Sequence, residues 1–330
     1  MVKKILLSVA LASLLLQVAA APRTPYRITM VLFRGCEDAC RGFTEYFATR
    51  KIPVQFEMLD AATDVKKLPG FIARVKASKP DLLVTWGTTV SLAMLGAHDS
   101  PDAAAYVRDT PALFMIASTP VGSKLVPRLA SSGRNLSGTL YLVSVETQLQ
   151  AARLYLPFKR IGFLFNAAEN NSSVTQAELL AARNKFSFEL IERVVPVNAD
   201  GVPDKDSLPR LVNELADQRV DLLYMSPDTF LLLNRDAITG AALERKLPVL
   251  ASAEAAVRES KALMGVVNRY HTVGQLTAAQ AERILVQGVA PSQIPIEAPP
   301  HFTLIVNMRV ANRLKLYPPM RVLKIAEIVK

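Results

Sequence analysis

Polar residues collect at the ends of the predicted β-strands, which is where ligands bind in open parallel sheets. In the first half of the chain these residues are Arg34, Thr88, Thr89, Ser118 and Thr119. In the second half they are Asn166, Glu169, Asn170, Asp228 and Ser252. Hydroxyls, amides and the N–H groups at helix starts suit a small polar or zwitterionic ligand. We therefore predict a ligand-binding set of these ten residues together with Trp86, Tyr141 and Asn268.

Two opposite charges in this set define the expected chemistry. Arg34 offers a fork of N–H donors that can hold a carboxylate in bidentate geometry, and Asp228 can hold an ammonium group. We expect both residues at loop tips outside the core, so that alanine in either place weakens binding and leaves folding little affected. Several aromatic residues lie near the same level and can enclose a flat group: Phe33, Trp86, Tyr141, Tyr224 and Tyr270. For each polar residue alone, capping a helix or shaping a turn is the alternative role.

Cys36 and Cys40 are the only cysteines in the chain. Their spacing at a predicted helix start permits a disulfide, and an extracytoplasmic compartment is oxidising. Two free buried thiols and a redox-active pair are the alternatives. A loop this short gains little stability from the crosslink, so the disulfide would mainly stiffen the end of the first strand.

Motifs of the common enzyme classes are absent from the sequence. These include the phosphate-binding G-x-x-x-x-G-K-[ST] and G-x-G-x-x-G patterns, the G-x-S-x-G nucleophile turn and the H-E-x-x-H zinc motif. The three histidines, His98, His271 and His301, are too scattered for a metal site or a triad. His271 lies beside predicted cleft residues and is an alternative ligand contact. We predict a protein that is not an enzyme and that uses no cofactor and no metal.

The strand ends are positioned by a unit that the sequence contains twice. Leu68–Thr89 (LPGFIARVKASKPDLLVTWGTT) and Leu208–Thr229 (LPRLVNELADQRVDLLYMSPDT) share Leu-Pro, an apolar helical stripe, Asp-Leu-Leu and a final Thr. Each copy predicts a helix, then a buried strand, then a loop at the carboxyl end of that strand. We interpret the repeat as two α/β lobes of one design.

Strands alternate with helices along both halves of the chain. Predicted strands cover 27–33, 52–58, 81–86, 112–117, 160–165, 188–195, 220–225, 248–251, 263–267 and 302–306. Predicted helices include 145–156, 172–184, 207–218, 229–245 and 272–287, and another starts at Gly87–Thr89 with a threonine as its cap. This alternation predicts an α/β fold of two Rossmann-like lobes with parallel sheets and a cleft between them.

Composition and the amino terminus indicate a secreted binding protein. The chain has 330 residues and a formal net charge of +10, but its basic residues are scattered, so we predict no nucleic-acid partner. Residues 1–20 predict a signal peptide, with Lys3-Lys4, the apolar stretch Ile5–Leu16 and small residues at the cleavage site. The apolar stretch is too short to span a bilayer. We predict a mature periplasmic protein without a stable membrane anchor.

Several segments resemble the family of ABC-transporter substrate-binding proteins, in the group that includes tryptophan- and phenylalanine-binding members. They are ASTPVGSKLV (117–126), GRNLSG (133–138), RIGFLFN (160–166), ENNS (169–172), PDT (227–229), LPVLAS (247–252) and FTLIVN (302–307). The resemblance runs from about 27 to 319. It implies the type I periplasmic-binding fold, with two lobes, three crossing segments and the ligand in the hinge cleft.

Three positions depart from the pattern of this family. Thr119-Pro-Val stands where Asp-Pro-Val is usual, and Lys261-Ala stands where Gly-Ala is usual. Gly35 is followed by Cys36-Glu37, whereas Gly-Glu-Thr is common in this loop. Because the first change removes a charge near the cleft, the ligand of the relatives is not carried over to this chain.

The resemblance and the repeat together lead to a division of the chain and to a function. We predict lobe 1 from 21–140 plus about 268–300 and lobe 2 from 141–267 plus about 301–330. The predicted function is a monomeric periplasmic solute-binding protein that captures a small organic ligand, such as an amino acid or another small carboxylate, for the permease of an ABC importer. A periplasmic sensing subunit for a membrane sensor kinase, cyclase or chemoreceptor is the alternative, and a secreted α/β enzyme is a remote one.

Overall fold

A computed structural model describes residues 24–199 and 201–330, and the predicted signal peptide lies outside these residues. The described residues form two β-sheets whose strands alternate along the chain with α-helices. The predicted α/β fold class is thereby confirmed.

The first sheet has five parallel strands in the order β2-β1-β3-β4-β5. Its strands are β1 (Tyr26–Leu32), β2 (Val54–Asp60), β3 (Leu82–Trp86), β4 (Ala112–Ala117) and β5 (Leu136–Leu140). The helices between them are α1 (Asp38–Arg50), α2 (Leu68–Ser78) and α3 (Gly87–Leu95). β5 is not among the strands predicted from the sequence.

The second sheet has seven strands in the order β12-β11-β10-β9-β8-β6-β7, and only the β10–β11 pair is antiparallel. The strands are β6 (Arg160–Phe165), β7 (Glu189–Val194), β8 (Leu222–Met225), β9 (Val249–Ala251), β10 (Met264–Val267), β11 (Thr303–Asn307) and β12 (Glu327–Val329). The helices that follow α3 are α4 (Val145–Tyr155), α5 (Asn170–Ala182), α6 (Leu208–Asp217), α7 (Thr229–Leu233), α8 (Arg235–Glu244), α9 (Glu254–Arg258), α10 (Tyr270–Leu285), α11 (Met308–Leu314) and α12 (Met320–Leu323).

The strand sequences explain where the candidate site lies. Every residue of β3 and β4 is buried, as is typical of parallel strands that are covered on both faces. β3 lies in the middle of its sheet, between β1 and β4. Because parallel strands end at the same edge, the residues that follow β1, β3, β4 and β5 lie at one edge of the first sheet.

Helix α10 packs against α1, although the two helices are far apart in sequence. Two glycines allow the contact. A Cβ atom at Gly274 would lie 2.0 Å from the carbonyl oxygen of Ala39, and one at Gly42 would lie 2.2 Å from that of His271. Farther along, the N–H of Leu140 donates to the carbonyl oxygen of Glu297 at 2.9 Å. The chain therefore returns from the second sheet to the first, and β11 then takes it back.

Two predicted helices differ from the structure. The helix predicted at 229–245 is divided into α7 and α8 at Asn234, whose backbone dihedrals (φ −103°, ψ 20°) lie outside the helical range. The expected threonine cap of α3 is also wrong. The helix begins at Gly87, its N-cap is Trp86, and no side chain makes a capping hydrogen bond.

Candidate functional site

Strand ends of both sheets meet around a small cavity, which we name the inner cavity. Its volume is about 20 Å³, enough for roughly one water molecule. Five predicted ligand-binding residues line it: Arg34, Trp86, Thr88, Ser118 and Tyr141. These five follow or end strands of the first sheet. The side of the second sheet contributes Asn171, Pro227, Thr229 and Leu232.

A larger cavity lies beside the inner cavity, and we name it the outer cavity. Its volume is about 300 Å³, at the lower end of the range typical of small-molecule sites. One wall comes from residues between 34 and 41, and the other from residues between 232 and 259. Arg34, Leu232 and Tyr270 line both cavities. The two spaces are therefore parts of one candidate site.

Arg34 lies at the junction of the two cavities and is held by two contacts. Its guanidinium carbon is 4.9 Å from the centroid of the Trp86 ring, over which it stacks. Its Nε donates to Oε1 of Glu37 at 2.8 Å, and only 17% of the side chain is exposed. A cation held in this way can bind the acid group of a ligand.

Glu37 completes this pair, although it is not in the predicted set. Its Oε2 is buried and has no hydrogen-bond partner. Burial raises the pKa of Glu37, and the positive charge of Arg34 opposes the rise. A buried carboxylate oxygen without a donor is costly, so a donor from a ligand or from water is expected there.

Two more unpartnered polar atoms belong to residues of the inner cavity. Nε1 of Trp86 is a buried donor, and Oδ1 of Asn171 is a buried acceptor. They come from opposite sides of the cavity, one from the first sheet and one from the second. A polar molecule between the sheets would satisfy both atoms.

Neutral hydroxyl groups form the rest of the first-sheet side. Oγ of Ser118 lies 3.1 Å from the hydroxyl of Tyr141, and the backbone N–H of Ser118 donates to Oγ1 of Thr88 at 3.1 Å. The rings of Tyr141 and Tyr270 are perpendicular, with centroids 5.6 Å apart. Burial raises the pKa of both tyrosines well above the usual value. These hydroxyls therefore stay neutral at physiological pH.

The backbone of β4 is strained where it reaches the inner cavity. Ile116 has φ of 59°, in the left-handed region that a β-branched residue rarely adopts. The pairing of β4 with β5 shifts between Phe114 and Ala117. Ile116 is 4% exposed and lines the cavity. Strained backbone and strand bulges of this kind are common at binding sites.

Glu169 and Asp228 were predicted to contact the ligand, but neither is among the residues that line the two cavities. Asp228 caps α7. Its Oδ1 accepts from the N–H of Leu231 at 2.8 Å, and its Oδ2 accepts from Nδ2 of Asn166 at 2.9 Å. Glu169 accepts from two further N–H groups of the same helix start, at 2.9 and 3.0 Å. Both carboxylates are therefore bonded to the protein itself.

The expectation that Asp228 lies at a loop tip outside the core is wrong, since its exposed fraction is 0%. Burial raises the pKa of Asp228 to about 7, and the charge of Glu169 raises it further. Burial also raises the pKa of Glu169, whereas its backbone hydrogen bonds lower it. The buried carboxylate of Asp228 and the half-buried carboxylate of Glu169 thus share one helix start, where their described contacts serve the fold.

Four other predicted residues lie near the site without lining the cavities. Asn166 and Ser252 are buried and bonded within the protein, Ser252 through a 3.0 Å hydrogen bond from its Oγ to the carbonyl oxygen of Met225. Oγ1 of Thr119 and Oδ1 of Asn268 are buried and lack partners. The latter two atoms are the better candidates for a role when a ligand is bound.

At two helix starts, one residue lines the inner cavity and its neighbour in the sequence is exposed. Thr88 lines the inner cavity, whereas Thr89 is exposed. At the start of α5, the predicted residue Asn170 is exposed, and the next residue, Asn171, lines the cavity instead. Each residue turns a helix by about 100°, so adjacent residues at a helix start face different directions, and only Asn171 of the two asparagines lines the cavity.

Cys36 and Cys40 form a disulfide with Cα atoms 5.1 Å apart. Cys36 lines the outer cavity, and Cys40 is fully buried on α1. The bond therefore ties the loop that carries Arg34 and Glu37 to the first turn of the helix.

Nε2 of His271 is 2.8 Å from a carboxylate oxygen of Glu45 on α1, and His271 is not among the residues that line the cavities. In the part of the chain that the structure describes, no cluster of three or more His, Cys, Asp or Glu residues could hold a metal ion. Within residues 24–199 and 201–330, no helix combines the length and apolar character needed to cross a bilayer.

Comparison with known proteins gives a consistent result. Residues 40–330 match the family described as ABC transporter substrate binding protein. The chain is 24% identical over 255 residues to the tyrosine-binding protein of Clostridioides difficile (strain R20291). That alignment covers 77% of this chain and 68% of the relative.

Two solved structures are similar over nearly the whole chain. One is the ABC domain in complex with L-Trp from Streptococcus pneumonia, with a TM-score of 0.79 and 21% identity over 93% of this chain and 100% of that chain. The other is the ligand-free, open structure of a substrate binding protein with adhesive properties from Clostridium difficile. It has a TM-score of 0.72 and 23% identity over 92% of this chain and 99% of that chain. The shared fold is that of type I periplasmic binding proteins.

Proposed function

Because the chain belongs to the family of ABC transporter substrate-binding proteins, we propose that it captures a small organic ligand and delivers it to an ABC importer. The candidate site formed by the two cavities is the observation that carries the proposal, since residues from the sides of both sheets line it. A molecule held there contacts both halves of the fold at once. The proposed ligand is an amino acid or another small carboxylate.

Two relatives support an amino acid as the first ligand class to test. The Clostridioides difficile relative is named a tyrosine-binding protein, and the Streptococcus pneumonia structure holds L-Trp. In this chain Arg34 can take an acid group, and Trp86, Tyr141 and Tyr270 provide aromatic surface beside it. An aromatic amino acid would use both features.

The proposed mechanism is closure of two lobes around the ligand. Lobe 1 is 21–140 with about 268–300, and lobe 2 is 141–267 with about 301–330. The packing of α10 on α1 and the return of β11 to the second sheet support this division. A ligand that bonds to both lobes favours the closed state over the open state. The importer would recognise the closed form.

Export and the partner complete the proposal. Residues 1–20 would direct the chain to the periplasm and be removed, and the mature protein would act there as a monomer without a cofactor. Genes for a permease and an ATPase beside its own gene would support delivery to an importer. A sensor kinase, cyclase or chemoreceptor gene in that place would instead favour the sensing role.

Ligand binding is tested first on the purified mature protein. Native mass spectrometry should detect a copurified small molecule. After unfolding and refolding to remove it, at least one of the twenty amino acids or a small carboxylate should raise the melting temperature. Small-angle scattering should show a smaller radius of gyration with that ligand. No thermal shift with any compound and an unchanged radius would overturn the proposed function.

Two adjacent asparagines provide a matched test of the site. Asn171→Ala removes an unpartnered acceptor of the inner cavity, and we expect affinity to fall about 5- to 20-fold, the usual effect of one lost hydrogen bond. Asn170→Ala alters an exposed neighbour and should change affinity less than twofold. Titration calorimetry with the ligand found above measures both. Equal effects would place the ligand elsewhere.

A further inference from the structure

The loop between β1 and α1 carries a cation and an anion that each retain unused atoms. The hydrogen bond described for Arg34 joins its Nε to Oε1 of Glu37 at 2.8 Å and uses neither Nη atom. Oε2 of Glu37 is buried and has no partner. Both residues line the outer cavity. A donor fork and a lone acceptor therefore stand side by side at one wall.

Other carboxylates at the outer cavity are already bonded within the protein. Glu254 accepts two hydrogen bonds, one of them from Nε of Arg258 at 3.0 Å. Glu259 pairs with Arg235 at 2.8 Å, and 62% of its side chain is exposed. Among the described residues, Glu37 is the one carboxylate with a buried oxygen that lacks a partner.

We propose that Arg34 and Glu37 together bind the α-carboxylate and the α-ammonium group of an amino acid ligand. The inference rests on the proposed function and names two residues that determine its specificity. In an α-amino acid the two charged groups are attached to the same carbon atom, so they require a donor fork and an acceptor that are adjacent. The Nη atoms of Arg34 and Oε2 of Glu37 meet this requirement.

A ligand with only one of the two charges would leave a partner unsatisfied. A simple carboxylic acid could bond to Arg34, but it would add a second negative charge next to Glu37 and leave Oε2 without a donor. An amine could bond to Glu37, but it would leave the Nη groups of Arg34 without an acceptor. The pair therefore selects a zwitterion against both analogues.

The loop is held in place before a ligand arrives. The Cys36–Cys40 disulfide ties it to α1, and the N–H of Gly35 donates to Oδ1 of Asp60 at 3.1 Å. Gly35 has φ of 84°, which favours glycine there. The guanidinium is fixed on the ring of Trp86. Such preorganisation reduces the entropy lost on binding.

The test compares an amino acid with its two singly charged analogues. L-Tyrosine, tyramine and 3-(4-hydroxyphenyl)propanoate form the first set, and the same set is built for whichever amino acid gives the largest thermal shift. For the unaltered protein, titration calorimetry should show both analogues binding at least about tenfold more weakly than the amino acid. Equal affinity for the amino acid and either analogue would overturn the proposal without any variant.

Two variants show which residue binds which charged group of the amino acid. Glu37→Gln should weaken binding of the amino acid about 10- to 100-fold and leave the desamino acid within about threefold or tighter. Arg34→Gln should weaken the amino acid and the desamino acid by a similar factor, but not the amine. Circular dichroism and the melting temperature establish that each variant is folded.

Matched substitutions away from both cavities serve as controls. Glu189→Gln and Arg74→Gln alter exposed, paired side chains that line neither cavity, and both should bind the amino acid as the unaltered protein does. If the unaltered protein binds no amino acid, the proposed ligand class fails. If it binds one and the Arg34 and Glu37 variants retain affinity within threefold, the pair has no part in recognition and the proposed function stands.

Discussion

The two copies of the repeated helix–strand unit end in turns of similar composition, yet the turns use their polar groups differently. In the first copy, β3 leads into α3 through Trp86, and no side chain caps the helix. In the second copy, β8 leads into α7 through Asp228, whose carboxylate caps it. Nε1 of Trp86 is left buried without a partner. Both oxygens of Asp228 are bonded to the protein.

A polar residue at a strand end can bind a ligand most readily where its polar atoms are not already bonded within the protein. On the first-sheet side, Arg34, Glu37 and Trp86 retain unused polar atoms. On the second-sheet side, the carboxylates of Glu169 and Asp228 are bonded within the protein at the start of α7, and neutral groups such as those of Asn171 and Thr229 line the inner cavity. At the inner cavity, lobe 1 would therefore contact the charged groups of the ligand, and lobe 2 would cover it.

The largest expected effect comes from removing the cap of the second copy. Asp228→Ala deletes the acceptor of Leu231 and leaves the amide of Asn166 unpaired in the interior. We expect the free energy of unfolding to fall by about 2–4 kcal/mol. Thr89→Ala, an exposed residue at the same turn of the first copy, should cost less than about 0.5 kcal/mol. Urea unfolding of both variants measures the difference, and similar values would remove the contrast between the turns.

The alternation of strands and helices was accessible from the sequence because burial on both faces requires continuous apolar runs. β4 and β6 have the predicted bounds, Ala112–Ala117 and Arg160–Phe165. Their ends are marked by polar or turn-forming residues in the chain itself. Five of the residues selected at such ends do meet at one cavity.

What the sequence did not reveal depends on contacts between distant residues. Nothing near Glu169 in the sequence indicates that its carboxylate accepts a hydrogen bond from the N–H of Thr229, which lies 60 residues farther along the chain. Ile116 is β-branched and favours extended backbone, yet the bulge against β5 holds it at a positive φ. Glu37 is not in the predicted set, and its Oε2 is buried only by contacts of the folded chain.

The next effect is a pH dependence confined to the second copy. The pKa of Asp228 is raised from 3.8 to about 7, first by burial and then by the charge of Glu169. Between these values the native state binds a proton that the unfolded state releases, so the free energy of unfolding falls as pH rises from about 4 to about 7. The contribution of Asp228 should be about 1–3 kcal/mol.

Asp228→Asn isolates that contribution, because other groups titrate in both proteins. The difference in unfolding free energy between the unaltered protein and this variant, measured by urea unfolding at several pH values, should change in favour of the variant as pH rises. A difference that is constant from pH 4 to pH 8 would mean that Asp228 is ionised throughout this range. The start of α7 would then accommodate the negative charges of both Asp228 and Glu169.

The smallest effect concerns the unused donor of the first copy. Trp86→Phe removes the indole N–H and keeps an aromatic ring beneath Arg34. Since Nε1 has no partner in the protein, the free energy of unfolding should change by no more than about 1 kcal/mol, whereas ligand affinity should fall about 3- to 10-fold if Nε1 donates to the ligand.

Tyr141→Phe is the matched control, because its hydroxyl contacts Ser118 at 3.1 Å within the protein and its loss should lower stability by about 1 kcal/mol. Calorimetry and urea unfolding of the two variants separate a group kept for the ligand from a group used by the fold. If Trp86→Phe destabilised the protein and left affinity unchanged, the indole N–H of the turn between β3 and α3 would serve the fold, as the carboxylate of Asp228 does in the turn between β8 and α7.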